Sequence, residues 1–440
     1  MKLALLGGEK AIQKERLRFP IVPEAAYDRV FNMMKAGDIS GSPIFAEFEE
    51  KFANYIGRAY GLCSCNGTTS IQEALFAVGV GAGDEVIVPS FTFWASVGPV
   101  LACNAVPVFA DVDIKMQTLT AENIAKVITP KTKAMVIVHT WGNPCELDPI
   151  LKLAKEHDIK VIEDCSHAHG AEYHGKKLGS FGDVGCFSMQ GSKVLPAGEG
   201  GILVTDNREY YERACALGHY ERLGRKDFPE DSPYKKFAGT GLGYKHRAHP
   251  LAIAIANAGL DILDERNAIR DENGKLLDKL FSQLGFFEAQ KTPENAERVY
   301  AYHYMRYLPE KLHNLSVSTL CKALSAEGVE GGTCGYGRLH NAPFVTEEGM
   351  FGHGCPLACP HLGQKYVVNK NLPNTDILAI NDVMVAPRFE GMNEGHVEEY
   401  LAAYQKIADN IDELLEYEAS LGEVDTSKLN KVGQSINAFK

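Results

Sequence analysis

Between Ala59 and about Asp206 the chain repeats one pattern, in which short runs of β-branched and apolar residues alternate with amphipathic segments. The strand-like runs occupy residues 84–90, 106–113, 133–140, 159–166, 184–189 and 200–206. Helix candidates between them include residues 70–80 and 147–158. Continuous apolar strands with helical crossovers are typical of parallel sheets that are covered on both faces. The pattern therefore predicts an α/β domain with a mostly parallel, mixed sheet between helices.

After about Pro250 the pattern changes. Residues 249–284 are predicted to form one long helix, apolar at first and charged later, that could bridge two lobes. The following part mixes strand-like pieces at 298–309 and 382–389 with helix candidates at 316–327 and 393–418. A chain of 440 residues is long enough for two domains. We therefore expect a large domain over residues 1–255 and a smaller α/β C-terminal domain over residues 256–440.

Composition and charge narrow the classes of function. The net charge of −12 argues against a nucleic-acid-binding protein, which needs a basic surface to neutralise phosphates. Eleven cysteines without regular spacing fit a reducing cytoplasm better than a secreted disulfide framework. The N-terminal apolar run is too short for a signal peptide, and no apolar stretch approaches the length of a membrane span. We expect a soluble, cytoplasmic protein with no nucleic-acid or membrane partner.

Polar residues follow several of the predicted strands. Asp164 ends the strand KVIED, Ser188 ends GCFS, and Lys193 follows in the next turn. The segment CNGTTS (65–70) precedes a helix candidate, and PSFTFW (89–94) follows a strand. In an open parallel sheet, ligands bind at the carboxyl ends of the strands. We therefore expect these groups, from different parts of the chain, to meet at one rim of the sheet.

The sequence NGTTS, at residues 66–70, has two interpretations. Gly67 lets the backbone turn, and the amides of Thr68 and Thr69 then begin a helix whose N-terminus favours an anion. The threonine hydroxyls add further donors to such a site. Alternatively, the motif is a plain helix cap, because Ser and Thr are favoured there in any case.

Lys193 precedes the glycine-rich turn PAGEGG (196–201), in a segment that is otherwise predicted to be buried. It is either an ordinary lysine at a strand–turn boundary or a desolvated amine, which forms Schiff bases with carbonyl groups. A pyridoxal 5′-phosphate (PLP) site needs such a lysine, a carboxylate for the pyridinium nitrogen and a phosphate cradle. An aromatic residue to stack on the ring is commonly present. Lys193, Asp164, the NGTT motif with Ser188, and Phe93 supply these groups at predicted strand ends.

Two groups of residues have metal-ligating side chains without a standard pattern. His167 and His169 closely follow Asp164, but lone histidines are more often packed loop residues. The second group comprises His353, Cys355, Cys359 and His361. Its spacing matches no zinc-finger pattern, and its two prolines favour an irregular loop. We predict no metal site.

Taken together, these blocks resemble the DegT/StrS family of PLP-dependent sugar and cyclitol aminotransferases, within the aspartate aminotransferase fold type I. The matching blocks are CNGTTSIQEAL, GDEVIVPSFTFWAS, VFADVD, ITPKTKAMVIVHTWGNP, VIEDCSHAHGAEYHGKKLGSFGDVGCFSMQGSK, GEGGILVTD and GYKHRAHPLAIAIA. They cover roughly residues 20–265, whereas the C-terminal part matches only through LPNTDIL and the final helix. The resemblance implies a PLP-dependent transferase of fold type I, with a large sheet domain and a smaller α/β C-terminal domain.

The resemblance also implies roles for individual residues. Lys193 would hold the cofactor as an internal aldimine and move a proton between Cα and C4′, and Asp164 would keep the pyridinium nitrogen protonated. His167 lies where the family has Gln or His near the cofactor's phenolic oxygen, and Phe93 matches the aromatic residue that stacks on the ring. The residues implied to bind the phosphate are Gly67, Thr68, Thr69 and Ser188.

One position departs from the family pattern. The family usually has GxNxR where this chain has GYKHR at residues 243–247. The usual asparagine reaches across a dimer interface towards the phosphate site of the partner, and Lys245 stands in its place. A cation there would form an ion pair with the phosphate. The resemblance thus implies a homodimer in which each complete site needs both subunits.

The lysine position also bears on the reaction. Related sugar 3-dehydratases carry His there, so Lys193 favours transamination. The resemblance implies transfer of an amino group from glutamate or glutamine to a keto or aldehyde sugar or to a cyclitol, through the internal aldimine and pyridoxamine phosphate. Two alternatives stay open, namely a PLP-dependent dehydratase or eliminase acting on a sugar, and a non-catalytic PLP-binding regulatory protein.

The residues that select the substrates are less clearly marked. The stretch 330–372 is rich in Gly, Pro, His and Cys and predicts a long loop, and loops of that length are usually functional lids or disordered. We expect acceptor specificity to lie in this loop, in Trp94 and Trp141, and in the partner's GYKHRAH segment. Arg247 and Arg338 are the candidates for binding the carboxylate of the donor.

Overall fold

A computed structural model describes residues 1–14, 19–226, 228–346, 352–363, 365–387, 390 and 396–421 of the 440-residue chain. The strands are β1 Tyr60–Ser64, β2 Glu85–Pro89, β3 Val106–Ala110, β4 Thr132–Val138, β5 Lys160–Asp164, β6 Glu172–Tyr173, β7 Lys176–Lys177, β8 Val184–Ser188, β9 Gly201–Thr205, β10 Phe287–Glu288, β11 Ala296–Glu297, β12 His303–Tyr307, β13 Gly332–Thr333 and β14 Asp382–Ala386. They form a large sheet of seven strands, a second sheet of four and a small sheet of three.

The large sheet has the strand order β1-β9-β8-β5-β4-β2-β3. From β3 to β8 all neighbours pair in parallel, whereas β9 runs antiparallel to both β1 and β8. Its strands are short and rich in Val, Ile and Ala, and nearly all of their residues are buried, as a sheet covered on both faces requires. The predicted mostly parallel α/β sheet is thus confirmed, with six of its strands within a few residues of their predicted positions, whereas the edge strand β1 was not predicted.

Helices cover both faces of the large sheet and also pack on the C-terminal sheet. They are α1 Glu24–Ala36, α2 Ile44–Ile56, α3 Gly67–Ala77, α4 Gly98–Ala102, α5 Ala121–Ala125, α6 Leu147–Glu156, α7 Arg208–Gly218, α8 Tyr220–Leu223, α9 Pro250–Leu260, α10 Leu263–Ser282, α11 Val317–Ala326, α12 Pro343–Thr346, α13 Pro373–Asn381, α14 His396–Asp409 and α15 Ile411–Ser420. Side-chain caps start several of them: Asn66 caps α3, Asn207 caps α7 and Ser316 caps α11. Each cap accepts a backbone N–H of the first turn that would otherwise lack an intrahelical partner.

The single long helix predicted over 249–284 is wrong. The chain forms α9 and α10, with a break at Ile262, whose φ of −116° and ψ of 8° are not helical. The apolar α9 packs against α1 and α2 of the large sheet's layer, whereas α10 carries charges and contacts the C-terminal part. The two helices therefore pack in different layers on either side of this break.

The last predicted helix, 393–418, is also divided. Residues 391–395 lie outside the described part of the chain, and the remainder forms α14 and α15, separated at Asn410 with a φ of −120°. Of the predicted loop 330–372, the described residues contain β13, α12 and short 3₁₀ turns at Leu339–Asn341 and Pro360–Leu362.

The C-terminal sheet, β10-β12-β14-β13, forms its own apolar layer with α10, α11 and α14. The first residues of the chain belong to this layer, because Leu3 is fully buried in it. The carboxylate of Glu327 accepts hydrogen bonds from the amides of Ala4 at 2.8 Å and Ala11 at 3.0 Å, and from Nζ of Lys406 at 2.8 Å. The division at residue 255 remains a prediction, with the N-terminal residues packed on the C-terminal sheet.

Two further features of the described residues concern membrane spans and cysteines. None of their helices is both long and apolar enough to cross a bilayer. All eleven cysteines are free thiols, and burial raises the pKa of Cys186 and Cys334 well above the usual value. Such thiols stay protonated and act as small apolar groups in the core.

Candidate active site

Asp164 ends β5 and is held by two hydrogen bonds. The residue is 4% exposed. Its Oδ2 accepts a hydrogen bond from the hydroxyl of Ser96 at 2.7 Å, and its Oδ1 accepts one from the amide of Ser166 at 3.1 Å. Ser96 lies in the short helical turn Trp94–Ser96 that follows β2, so the ends of two strands meet at this carboxylate. With both oxygens engaged, the carboxylate is fixed in one orientation.

The N-terminus of α3 lies directly against the end of β8. Oδ1 of Asn66 accepts hydrogen bonds from the amide and the hydroxyl of Thr69, both at 2.9 Å. Position 67 must be glycine because a Cβ there would lie 2.6 Å from Cβ of Ser188. The residue that caps the helix is therefore Asn66, and the amide and hydroxyl of Thr69 are both bonded to it. Gly67 and the exposed Thr68 provide the helix-end amides at which an anion would bind.

The turn between β8 and β9 carries Lys193 to the same rim. The amide of Met189 donates to the carbonyl of Gly200 at 2.8 Å and closes the turn. Gly198 has a φ of 87°, a conformation that glycine adopts without strain. The amide of Lys193 donates to the carbonyl of Gln190 at 2.8 Å, and the residue is half-buried. The turn thus fixes the backbone of the lysine and leaves its side chain partly accessible.

His169 lies fully buried close to Lys193. Its ring packs edge-on against Phe52, with centroids 6.5 Å apart, and 5.3 Å from the ring of Phe187. Burial lowers the pKa of His169 to about 3, and the positive charges of Lys193 and Arg270 act in the same direction. The ring is therefore neutral at physiological pH, and His169 is a packed core residue close to the lysine.

His167 is buried within a stack of aromatic rings. The indole of Trp141 lies parallel to it, with centroids 5.4 Å apart and an interplanar angle of 7°. The amide of Trp141 donates to Nδ1 of His167 at 3.3 Å, and the hydroxyl of Tyr336 lies 3.3 Å from its Nε2. Tyr336 belongs to the predicted loop 330–372, so this loop reaches the site. No local pattern marked Tyr336, because it meets His167 from 169 residues away along the chain.

Phe93 lies at the open side of this group. It is 37% exposed, and its ring centroid is 3.8 Å from that of Trp94 and 6.3 Å from that of Tyr336. An aromatic face at the rim suits a planar ligand. The two tryptophans differ, since Trp94 is 44% exposed whereas Trp141 is 2% exposed. The side chain of Trp94 is thus accessible from solvent, whereas that of Trp141 is enclosed by its neighbours.

Lys245 lies apart from this group and is exposed. Its segment is anchored where the amide of Cys65 donates to the carbonyl of His246 at 2.7 Å, beside the start of α3. Lys245 and Arg247 line a surface cavity of about 250 Å³. Arg338, the other candidate for the donor carboxylate, has its Nη1 3.4 Å from Oδ1 of Asp376.

Among the described residues, neither of the histidine-containing groups considered for a metal forms a cluster of three or more ligating side chains. Among them, one cluster has metal-ligating atoms within 4.8 Å of one another, namely His139, Glu163 and Cys165. The carboxylate of Glu163 accepts hydrogen bonds from three backbone amides between Gly179 and Gly182, at 2.7–2.9 Å. Nδ1 of His139 accepts the amide of Cys145 at 3.1 Å. These atoms are used for structure, and the cluster fixes the 179–182 loop.

A model of the DegT/DnrJ/EryC1/StrS aminotransferase family matches residues 21–360. The chain belongs to this family. It is an aminotransferase, and its likeness to solved aminotransferase structures confirms the predicted fold class. The X-ray structure of the aminotransferase from Psychrobacter cryohalolentis has a TM-score of 0.78 and 25% identity, over 90% of this chain and 99% of that one.

Two curated relatives carry more specific names. A putative L-glutamine:3-amino-2,3-dideoxy-scyllo-inosose aminotransferase of Micromonospora echinospora is 30% identical over 94% of this chain and 98% of its own. The L-glutamine:2-deoxy-scyllo-inosose aminotransferase of Streptomyces kanamyceticus is 39% identical over 64% of this chain and 66% of its own.

The buried, neutral His169 predicts an acid sensitivity of the fold. In the unfolded chain this ring binds a proton below a pKa of about 6.5, whereas in the folded protein it does so only near 3. Its contribution to stability is therefore present above about pH 6.5 and is lost as the pH falls towards 3. Between pH 7.5 and pH 5 the free energy of unfolding should drop by about 2 kcal/mol from this residue alone.

His169→Phe preserves a ring of similar size between Phe52 and Phe187 and cannot be protonated. Chemical denaturation at the two pH values should show a smaller acid loss in this variant than in the native protein. The matched control is His157→Phe, at a surface position that keeps the native pH dependence. An equal acid loss in native protein and His169→Phe would contradict the assignment.

Proposed function

We propose that the protein transfers the amino group of glutamine to the ketone of a cyclitol, with PLP as its cofactor. The observation that carries the proposal is the convergence of Lys193, Asp164 and the start of α3 at one rim of the sheet. Relatives over most of the chain, including one of Streptomyces griseus, are named L-glutamine:inosose aminotransferases. These names favour glutamine over glutamate as donor, a cyclitol over a sugar as acceptor, and transamination over dehydration or mere cofactor binding.

The residues at this rim fit PLP. The Gly67–Ser188 contact brings helix-end amides and a hydroxyl together, as a phosphate requires. Lys193 offers an amine for the aldehyde, Asp164 a fixed carboxylate, and Phe93 an aromatic face. We assign Gly67, Thr68, Thr69, Phe93, Asp164, His167, Ser188 and Lys193 to the cofactor, together with Lys245 of the partner subunit.

The roles of the protein groups follow from their chemistry. When bound, PLP supplies an electron sink for the electron pair left when the donor's Cα–H bond breaks. Asp164, held by Ser96 and Ser166, would keep a cationic ring nitrogen in place. Nζ of Lys193 would take the proton from Cα of the donor. His167 would donate from Nε2 to an oxygen of the ring.

Replacing Lys193 tests the cofactor assignment. Native protein purified with PLP should show an absorbance band near about 420 nm from the lysine-bound cofactor, and Lys193→Ala should lack it. Transamination should fall at least about 10²-fold, because the group that moves the proton is lost. Lys126→Ala, on the exposed surface of the large domain, is the control and should keep both band and turnover. A native protein without the band, or a Lys193→Ala variant with native turnover, would refute the assignment.

The donor and the acceptor can be tested separately. Glutamine added to the PLP-loaded protein should discharge the band, and a keto-inositol such as scyllo-inosose should then restore it. Mass spectrometry should detect the aminated cyclitol. Nucleotide-linked keto sugars serve as the matched comparison and should restore the band much more slowly. If they restore it faster than the cyclitol, the proposed acceptor class is wrong, although the aminotransferase assignment stands.

We also propose that the protein works as a homodimer. Tyr27, Phe31 and Met34 occupy one face of α1, and each is at least 60% exposed. The exposed Ile39, just after α1, lines the same surface cavity as Lys245. A contiguous apolar surface of this kind on a soluble enzyme fits a subunit interface. A second copy seated on it would bring Lys245 to the partner's site, as the family resemblance implies.

Subunit complementation tests the role of Lys245. Lys193→Ala and Lys245→Ala homodimers should both be impaired. The first lacks the amine for the aldehyde, and the second lacks the cation for the phosphate. After subunit exchange, a mixed dimer holds one site with the native Lys193 of one subunit and the native Lys245 of the other. Activity should therefore recover on mixing if Lys245 acts across the interface. If activity does not recover, Lys245 acts within its own subunit or not at all.

The interface itself is tested by Phe31→Glu, which should weaken the dimer in sedimentation experiments. A Phe31→Glu variant that remains dimeric would exclude the α1 surface as the subunit interface.

A further inference from the structure

Trp141 has a backbone conformation that large side chains rarely adopt. It lies in the turn Thr140–Gly142 after β4, with a φ of 58° and a ψ of 13°. The left-handed conformation is unfavourable for a residue that carries a Cβ, and it persists only where the surroundings hold it. The contacts that hold Trp141 are therefore informative about what the turn is for.

Two hydrogen bonds fix Trp141 at opposite ends. Its amide donates to Nδ1 of His167 at 3.3 Å, and its indole Nε1–H donates to Oδ2 of Asp382 at 2.9 Å. Between these bonds the indole stacks on Tyr304, with centroids 4.0 Å apart, and on Tyr336, with centroids 4.5 Å apart. Asp382 begins β14, so a strand of the C-terminal sheet holds a turn at the rim of the large sheet.

The amide of Trp141 decides which nitrogen of His167 carries the proton. A backbone N–H can only donate, so Nδ1 of His167 is the accepting nitrogen, and the neutral ring bears its proton on Nε2. Nε2 lies 3.3 Å from the hydroxyl of Tyr336. If the turn at Trp141 relaxed to an ordinary conformation, this constraint on the His167 tautomer would be lost.

We propose that Asp382 is a positioning residue that sets the orientation and tautomer of His167 through Trp141. The contacts that link Asp382 to His167 are observed in the structure and do not depend on the proposed function. The consequence for catalysis rests on the proposed function, in which His167 meets the cofactor.

A carboxylate is required at position 382 because it must accept twice. Oδ2 receives the indole of Trp141, and Oδ1 receives Nε2 of Gln117 at 2.8 Å. Gln117 is itself fixed, since its Oε1 accepts Nε2 of Gln290 at 3.0 Å. An asparagine at 382 would present an NH₂ group to one of the two donors and lose that bond. The residue is fully buried, so water cannot replace the missing acceptor.

The charge of Asp382 should depend on pH near neutrality. Burial raises the pKa of Asp382 to about 7, against the opposing effect of hydrogen bonds from Gln117 and Trp141 and of the charge of Arg298. Among the described residues, the titratable and charged side chains that act on it are Arg298 and the protonated thiol of Cys334. Protonation below that pH turns one acceptor into a donor and weakens the hold on Trp141.

The indole N–H of Trp141 provides a direct readout. The chain has two tryptophans, so ¹⁵N-tryptophan labelling of the PLP-loaded protein gives two indole signals, and Trp94→Phe assigns that of Trp141. Asp382→Asn should move the Trp141 signal upfield, because its strongest acceptor is weakened. It should also lower kcat by about 10- to 100-fold and remove an acidic limb of the kcat profile near pH 7.

The control is Asp271→Asn, at a surface position paired with Lys275 on α10, which should change neither the signal nor the profile. If Asp382→Asn does not fold, Trp141→Phe replaces it, since it keeps a ring in the stack but lacks the indole N–H and should lower kcat similarly. An unmoved indole signal in Asp382→Asn, or an unchanged kcat and pH profile in a folded variant, would overturn the proposal. A moved signal in a protein that transfers no amino group would instead refute the proposed function.

Discussion

The close approach of α3 to the hairpin β8–β9 is the contact on which the rest of the site depends. A Cβ at Gly201 would lie 2.4 Å from the backbone of Asn66, and one at Gly67 would lie 2.6 Å from Cβ of Ser188. Any side chain at either glycine would separate these segments. Because β8 and β9 are neighbours, the turn between them brings Lys193 to the same place. The two glycines thus allow the N-terminus of α3, the hydroxyl of Ser188 and the turn that carries Lys193 to lie side by side.

The parts of the site that were predictable from the sequence are those that depend on the end of a strand. Asp164, Ser188 and Lys193 follow apolar runs whose direction in a parallel sheet is set by the helical crossovers, so their common rim could be inferred. The pattern NGTTS likewise marked the start of α3. Which of its donors are available to a ligand could not be predicted, because the local sequence does not show that the amide and hydroxyl of Thr69 both donate to Asn66. The roles of these residues towards a cofactor remain predictions.

What could not be predicted are contacts between distant segments and bends within continuous patterns. Tyr336 reaches His167 from a loop whose composition suggests only irregularity. Gly259 lies just before the break at Ile262, but an isolated Gly in a helical pattern does not by itself mark the end of a helix. Only the structure shows that α9 packs in the layer of the large sheet, whereas Leu277 and Phe281 of α10 pack in the C-terminal layer. Trp141 and Asp382 are 241 residues apart, and neither lies in a periodic segment that points to the other.

Asp382 also lies beyond residue 360, where the match to the family model ends. A buried carboxylate costs stability unless its oxygens are hydrogen-bonded, and each oxygen of Asp382 accepts one such bond. Replacing it by Leu would leave the indole N–H of Trp141 and the amide of Gln117 as buried, unpaired donors. The carboxylate therefore fixes the position of Trp141, and the amide of Trp141 in turn fixes the ring of His167. The C-terminal sheet thereby contributes to the orientation of groups at the rim of the large sheet, through a strand, β14, that lies outside the match to the family model.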